Sequence, residues 1–501
     1  MKTVFKALAA NPLFVLAFVY FISAKGHLEI IDTAYSVRTA QAIIEEGSML
    51  IDPVDPRYRE VAPKIKGTEN IYSQYGIGIL VIFLPIVACA KVISSLLGIQ
   101  EPILTQFLLS FYNLPFAILA LWHFKNILKG LGGSEMNSNF LMLCLGVGTV
   151  FWKYSVTDFS EITQISLLLG ALREYLRDSE RKWQGVSLYL AFLVAFKMVY
   201  VLLIPFFGLL ALHEGFKKKE LVRNSIHLSS FLIPCAAILM IANFVRFDSI
   251  LETGYGAPGA SFSFACFKRD FLDYIYSLKR GILPFSPLLL MGIVMWRRFY
   301  RGHPKFALLV GGMALFWLCL MASYKGLQGG WCWGNRNLFP MVPLLAIPWV
   351  FVDWKNLLER LSFACLLIIS LTIQIVGVSL KTHEYSVILT KIHENPQAHE
   401  LPEQLPGSIL LFWEKTTNAS GTYDPDFITG HTSQSMEKID LTGFESFQGF
   451  NFWLVHGAKK WLPELVGFIG NFHVIVLLAL TIFSLGKYWP PEISTKQAEK
   501  S

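Results

Sequence analysis

Residues 26–44 read GHLEIIDTAYSVRTAQAII and residues 71–85 read IYSQYGIGILVIFLP, with a polar run between them. Both follow the first apolar run of the chain, near residues 7–24. Asp32 therefore stands just after a membrane-length segment and at the head of a second, amphipathic one. In that second segment Ala34, Val37, Ala40 and Ile44 recur at helical spacing. Such a helix can lie on a membrane with Arg38 and Gln41 turned upward, which puts the Asp32 carboxylate at the membrane surface. The ordinary alternative is that Asp32 caps the helix, because aspartate is favoured at helix starts. The two roles are compatible.

Composition agrees with a membrane setting. The 501 residues are 53% hydrophobic and 16% charged, against about a quarter charged in soluble domains. The net charge of +7 does not gather in one patch, which argues against nucleic acid as a partner. Its lysines and arginines fall in short clusters between apolar runs, as orientation in a bilayer requires. The seven cysteines fit neither a zinc nor a disulfide spacing. Only Cys266 and Cys332 fall in candidate external loops, with nothing further to pair them.

Apolar runs near 7–24, 104–124, 137–154, 159–176, 226–245, 280–297, 305–322, 336–352, 361–380 and 466–486 are long enough to cross a bilayer. The run 184–215, interrupted by Lys197 and Pro205, reads as two short helices. The run 76–97 could cross or could lie in the interface, and charge decides between these. With 76–97 interfacial, Lys125/Lys129, Arg173/Arg177/Arg181/Lys182, Lys217–Lys219, Arg297/Arg298/Arg301 and Lys355/Arg360 all share the side of Lys2 and Lys6. The expectation is an all-α polytopic membrane protein of about twelve transmembrane helices with both termini inside. Interfacial helices lie in a long first external loop, and a small external α+β cap lies near the C-terminus. The first apolar run lacks a small-residue cleavage site, so no cleavable signal peptide is expected. The expected division is 1–380 for the transmembrane catalytic part, 381–465 for the cap, and 466–501 for a last helix and tail. Asn418–Ala419–Ser420 forms a glycosylation sequon within the cap.

The unusual polar motifs converge on the external face. Tyr72 and Tyr75 precede an apolar helix, where phenols are either belt anchors or ligands for a lipid phosphate. KYSVTDFSEITQ (153–164) sets Asp158 and Glu161 at a helix mouth, facing a cavity or a partner, although Glu161 also suits a helix first turn. Lys197 lies inside LAFLVAFKMVYVLLIP, where a central lysine costs roughly 2.5–3.5 kcal/mol. It either snorkels or meets an anionic group. Arg246, Lys279 and Arg280 lie on the side that should be poor in cations, and phosphate binding is one local reason. YKGLQGGWCWGNRNLFPMVP (324–343) adds Lys325, Arg336, Trp331 and Trp333, which read either as phosphate ligands with sugar-stacking rings or as a tryptophan belt. Here Asp32 would act as general base on an acceptor hydroxyl or amine.

In their order and spacing these motifs resemble the GT-C superfamily of integral membrane glycosyltransferases. The likeness is closest to bacterial relatives of the protein O-mannosyltransferases and the lipid A aminoarabinose transferases, and it covers residues 10–380. It rests on Asp32, YSQYGIG, Ser160–Glu161, RFDSILETGYG with SLKRGILPFSPLLL, and GGWCWGNRNLFPMVPLL. The resemblance implies transfer of a sugar from a polyprenyl-phosphate donor to a glycan, lipid or protein acceptor of the cell envelope. It implies an external active site at the bacterial inner membrane, Asp32 as base, and basic residues on the donor phosphate. Asp158 or Glu161 would orient the acceptor. The chain departs from the family at Thr33, where many members carry a second acid. No cofactor is called for. The superfamily allows a divalent metal, but no ligand cluster here demands one. A transporter or flippase, or an inactive scaffold that binds lipid-linked sugars, is the alternative, although the chain lacks the internal repeats usual in transporters.

Overall fold

The computed structural model describes residues 11–51, 71–252, 254, 262–325, 332–381, 403–417 and 450–490. Among these the protein is helical, and its only pairings of the β type are isolated bridges, Ile51 with Ile71 and Phe262 with Tyr324. Among the described residues seven helices are long and apolar enough to cross a membrane, and Pro12–Ser23, Lys182–Phe196 and Met341–Phe351 are shorter apolar helices. The expected cap lies largely outside the described residues, and its described helical parts are Gln404–Thr417, Trp453–Trp461 and the short turn Pro463–Leu465. The sequon also lies outside.

Local chemistry sets the helix ends. Asn11 accepts a hydrogen bond from the Leu13 N–H ahead of a proline first turn, which starts Pro12–Ser23. Gly47, at φ 66°, stops Ile31–Glu46 in the left-handed region that glycine enters without strain. The run 184–215 breaks at Lys197 as expected, but its second part, Met198–Lys218, is long and apolar enough to cross a membrane instead of forming a short helix. Lys197 takes an extended backbone after Lys182–Phe196, and Pro205 enters the first turn of Ile204–Lys218. Helices too short to cross, such as Glu135–Val147, sit in the middle of the bundle, where Phe140, Leu141, Met142 and Leu145 are fully buried.

The bundle has two chemically different ends. At one, Lys125 and Lys129 pair with Glu135, Lys182 with Glu214, and Arg298 with Glu359. Trp354 donates to Asn137 and also packs on Trp489, which ties these loops together. These are the basic clusters that the charge spacing places on one side. The other end gathers residues 24–33, 71–76, 156–161, 332–340, 378–380 and 450–453, joined by the bonds described below.

The run 76–97 forms the helical segment Ile77–Leu97, which by length and composition is able to cross a membrane. It lies alongside Ile31–Glu46, from the Tyr75–Asp32 hydrogen bond to the Lys91–Glu45 ion pair. The chain is back at its starting end by Tyr112 and Asn113, which donate to the carbonyls of Asp158, Thr157 and Phe159. The excursion therefore leaves and returns to the same end, and 113–130 then runs to the basic end.

One close approach holds the helix after the 332–340 loop in place. A Cβ on Gly292 would lie 1.7 Å from the Leu345 carbonyl oxygen. Gly292→Ala should push Leu289–Gly302 away from Met341–Ala346 and cost about 1–3 kcal/mol. The check is a lowered thermal unfolding midpoint of the detergent-solubilised protein.

Candidate active site

The site is built around the start of Ile31–Glu46. Ile30 is the N-cap and makes no side-chain cap bond, while Asp32 lies in the first turn. The cap comes from elsewhere in the chain. Asp158 accepts the Glu29 N–H on one carboxylate oxygen and the Ile30 N–H on the other, each at 3.0 Å. Thr33 donates to the Asp158 carbonyl at 2.6 Å, so the position where the resemblance called for a second acid fastens the helix to the 156–160 loop. Asp32 is therefore freed from capping, and the two readings of its role separate.

Its carboxylate is held from two sides. The Tyr75 hydroxyl donates to Oδ1 at 2.7 Å, and Arg336 Nη1 donates to Oδ2 at 2.8 Å. The side chains of Arg336 and Asp32 remain 22% and 27% exposed, so the pair borders solvent. Arg336 lies over the Phe159 ring at 4.8 Å. Burial works against its charge, but Asp32 and Glu161 outweigh that and hold the guanidinium above its usual value. Glu161 in turn lies 3.6 Å from the Lys197 ammonium. Charges thus alternate along Asp32, Arg336, Glu161 and Lys197. The array is not closed by hydrogen bonds, because Glu161 Oε2 and Arg336 Nε have no such partner.

Two glycines explain the YGIG sequence. A Cβ on Gly76 would lie 2.2 Å from the Phe196 carbonyl oxygen, and one on Gly78 would lie 2.8 Å from Ala195. The loop thus rests its bare backbone on the helix break that precedes Lys197, which brings Tyr75 and Lys197 to the same site. Arg246 closes the loop from the other side, donating to the carbonyls of Ser73 and Tyr75 at 2.9 and 3.0 Å. It is buried, and its contacts position Tyr75 instead of presenting a cation to a ligand.

Other expected site residues lie apart. Arg280 is bound by Asp273 and Asp270. Lys279 and Lys325 are exposed and Tyr72 is half-buried. Trp333 is 4% exposed, edge-on to Phe285, with Gly377 against its ring. That is a core position instead of a face on which a sugar could stack. Trp331 lies outside the described residues. Cys266 and Cys332 are both free thiols.

The structure adds groups that the sequence reading passed over. Buried Lys25 donates to the carbonyls of Val378 and Asn451, and buried Lys153 donates to the Leu380 carbonyl. Both lysines supply N–H donors to the carbonyl end of Leu357–Ser379, whose last carbonyls lack intrahelical partners. Asn451 also donates to Glu29, so the segment entering the Asp32 helix is gripped by the C-terminal part of the chain. Lysines beside the quoted motifs were the available signal. Among the described residues no group of three or more His, Cys, Asp or Glu side chains is arranged to hold a metal.

No protein-family model matches the chain, and no curated protein matches it. Among solved structures it is similar to ArnT from Cupriavidus metallidurans bound to undecaprenyl phosphate. The TM-score is 0.49 at 12% identity, covering 97% of this chain and 78% of that one. It is also similar to the Archaeoglobus fulgidus oligosaccharyltransferase in complex with Zn and sulfate, with a TM-score of 0.47 at 12% identity over 76% of this chain and 56% of that one. The apo form of the archaeal protein gives a TM-score of 0.47 at 11% identity, covering 78% and 58%. The chain thus spans a little over half of the archaeal protein's length.

Gly76→Ala should lift the loop off Phe196 and separate Tyr75 from Asp32. The expected result is lower thermal stability and loss of the Tyr75–Asp32 contact, read in a structure of the variant. A second prediction concerns pH. Burial pushes the Asp158 carboxyl up to about 7, against the lowering effect of the two N–H groups. The folded protein then holds this proton more tightly than the unfolded chain, so Asp158 favours folding most below about pH 4. That contribution falls as pH rises towards 7 and is constant above it. Asp158→Asn should remove this part of the slope when unfolding is followed from pH 5 to 8.

Proposed function

We propose that the chain is a glycosyltransferase that moves one sugar from a polyprenyl-phosphate donor to an acceptor at the outer face of a bacterial inner membrane. The observation that carries this reading is the Asp32 carboxylate, relieved of capping by Asp158 and held between Arg336 and Tyr75 at the motif-bearing end of a membrane bundle. The motif order that resembles the GT-C superfamily supports the same reading. The concentration of lysine and arginine at the other end supports that end, with both termini, on the cytoplasmic side.

The reaction proceeds as one displacement. Asp32 takes the proton of the acceptor O–H or N–H as that atom bonds to the anomeric carbon. The bond from the anomeric carbon to the phosphate oxygen breaks, and its electron pair leaves with polyprenyl phosphate. A single displacement inverts the anomeric centre, whether the sugar is a hexosyl or a pentosyl unit. Arg336 and Lys197 stabilise the negative charge of the leaving phosphate, and stabilising developing charge is usually the largest contribution to catalysis. Glu161 holds these two cations near each other before the donor arrives. Asp158, Thr33 and Arg246 are positioning residues, since each acts through Asp32 or Tyr75. The donor phosphate draws the Arg336 guanidinium towards itself, and Asp32 Oδ2 is then free to accept the acceptor's proton. The division into a catalytic part at 1–380, a cap at 381–465 and a final helix and tail at 466–501 belongs to the same proposal.

The test is transfer of label from a radiolabelled polyprenyl-phosphate sugar to membrane extract by purified protein. Asp32→Asn should lower kcat by about 100-fold or more, the usual range for a lost general base, with KM for the donor little changed. Arg336→Ala should also raise KM. Equal transfer by Asp32→Asn and the parent would remove Asp32 from the role of base. No transfer or hydrolysis of any such donor by the parent protein would overturn the enzyme reading.

A further inference from the structure

We propose that the helix Phe264–Tyr276, with its continuation to Arg280, is a docking surface for the headgroups of anionic phospholipids at the site end of the bundle. This rests on the membrane setting and is independent of the transfer reaction.

The helix is 13 residues long, or about 20 Å, too short to cross a bilayer. Its start is fixed to the end of the helix Pro304–Ser323, because the Ser263 N–H donates to the Ser323 carbonyl and Phe262 bridges to Tyr324. Pro304–Ser323 is long and apolar enough to span the membrane, so the shorter helix lies where a span meets the surface. Its far end meets the site, since Leu405 donates to the Leu278 carbonyl and the neighbouring Gln404 bonds Gly334 and Cys332.

Two different kinds of side chain share the outer face. Phe264, Leu272 and Tyr276 are 68%, 54% and 61% exposed. Their spacing of four and eight residues along the helix puts all three on one side. Lys268 and Arg269 are exposed on the same face; the Lys268 ammonium rests over the Phe264 ring at 5.0 Å, while Arg269 donates to both carboxylate oxygens of Asp270 at 2.7 and 2.8 Å, so Lys268 and Lys279 are the cations left for a headgroup. The acids of the segment are both occupied by its arginines. Asp270 is fully buried, and Arg280 bonds it together with Asp273. Residues 264–280 hold Lys268, Arg269, Lys279 and Arg280 against Asp270 and Asp273, and Lys279 is exposed beside the helix.

Large apolar side chains interleaved with outward cations fit the boundary between acyl chains and headgroups. Cations near an anionic bilayer surface are attracted to it, whereas a neutral bilayer gives the cations no such partner. The charge of this segment thus matches anionic lipid. It also explains why cations occur on the end that the orientation rule would leave poor in them.

The test uses the full chain in nanodiscs and the indole introduced by Phe264→Trp, with the signal of the 13 native tryptophans subtracted through the parent protein. Quenching is compared for phosphatidylglycerol and phosphatidylcholine brominated near the headgroup. The expected result is several-fold stronger quenching by the phosphatidylglycerol. That preference should disappear when Lys268→Gln and Lys279→Gln are added. Circular dichroism melting must match the parent; if the glutamine variant fails to melt normally, loss of the preference at high salt in the single variant replaces it. Equal quenching by the two lipids, or no quenching by either, overturns the proposal. Loss of the preference on adding stoichiometric polyprenyl phosphate also overturns it, by assigning the cations to the donor. Quenching needs no catalysis, so failure of the transferase reading would leave this result unaffected.

Discussion

Asp158 is buried and yet acts as an acceptor for two backbone N–H groups at the head of the Ile31–Glu46 helix. A helix start leaves its first N–H groups without intrahelical partners, and a nearby side chain normally supplies them. Here the residue at the cap position is Ile30, which has nothing to offer, and the first acid of the helix is committed to other contacts. The carboxylate that meets the need arrives from more than a hundred residues away. Its own backbone carbonyl is fixed by Thr33 and Tyr112, so the 156–160 loop and the helix head brace each other. Asp32 takes no part in these bonds, and its carboxylate is held by Tyr75 and Arg336 instead.

The same logic brings in the second loop. Tyr75 reaches Asp32 only because Gly76 and Gly78 let the backbone sit directly on the broken helix at Ala195 and Phe196. The break that accepts the glycines also releases Lys197 from a regular helix and aims it at Glu161. A lysine within an apolar stretch is costly, and pairing with a carboxylate at the site end relieves that cost. The sequence oddities at 75–78, 158–161, 197 and 336 are therefore parts of one construction. Each would be an unfavourable choice without the others.

The break at Lys197, the helix beginning near Asp32 and the clustering of basic loops at one end could all be read from local sequence, because each depends on periodicity, proline or charge spacing. The pairing of Asp32 with Arg336 could be suspected only from motif order, since 304 positions separate the two. Roles that depend on burial are not legible in this way. Trp333 looked like an interfacial ring, yet Gly377 gives it a slot in the core. Arg246 and Arg280 looked like free cations for phosphate, yet backbone carbonyls occupy the first and a pair of aspartates the second. Sequence displays a cation without its counter-charge when that counter-charge comes from tertiary packing. Lys25 and Lys153 show the converse case. Nothing local marks them as caps for the helix Leu357–Ser379, because the carbonyls they serve belong to a distant part of the chain.

The alternation of charge from Asp32 through Arg336 and Glu161 to Lys197 bears on how such a site remains stable and still reacts. Two anions and two cations sum to zero, which limits the desolvation cost of holding them together at a low-dielectric boundary. In the proposed reaction, a base tied to an arginine, as Asp32 is to Arg336, is nevertheless poorly placed to take a proton. An incoming phosphate resolves this, since its oxygens compete with Asp32 for a planar guanidinium suited to binding them. Arrival of the donor would then create the leaving-group site and release the base in one event. Without a donor the carboxylate stays neutralised and water has no free base to use. A lysine at position 336 would offer a point charge in place of the fork, so the exchange of partners depends on arginine geometry as well as on charge.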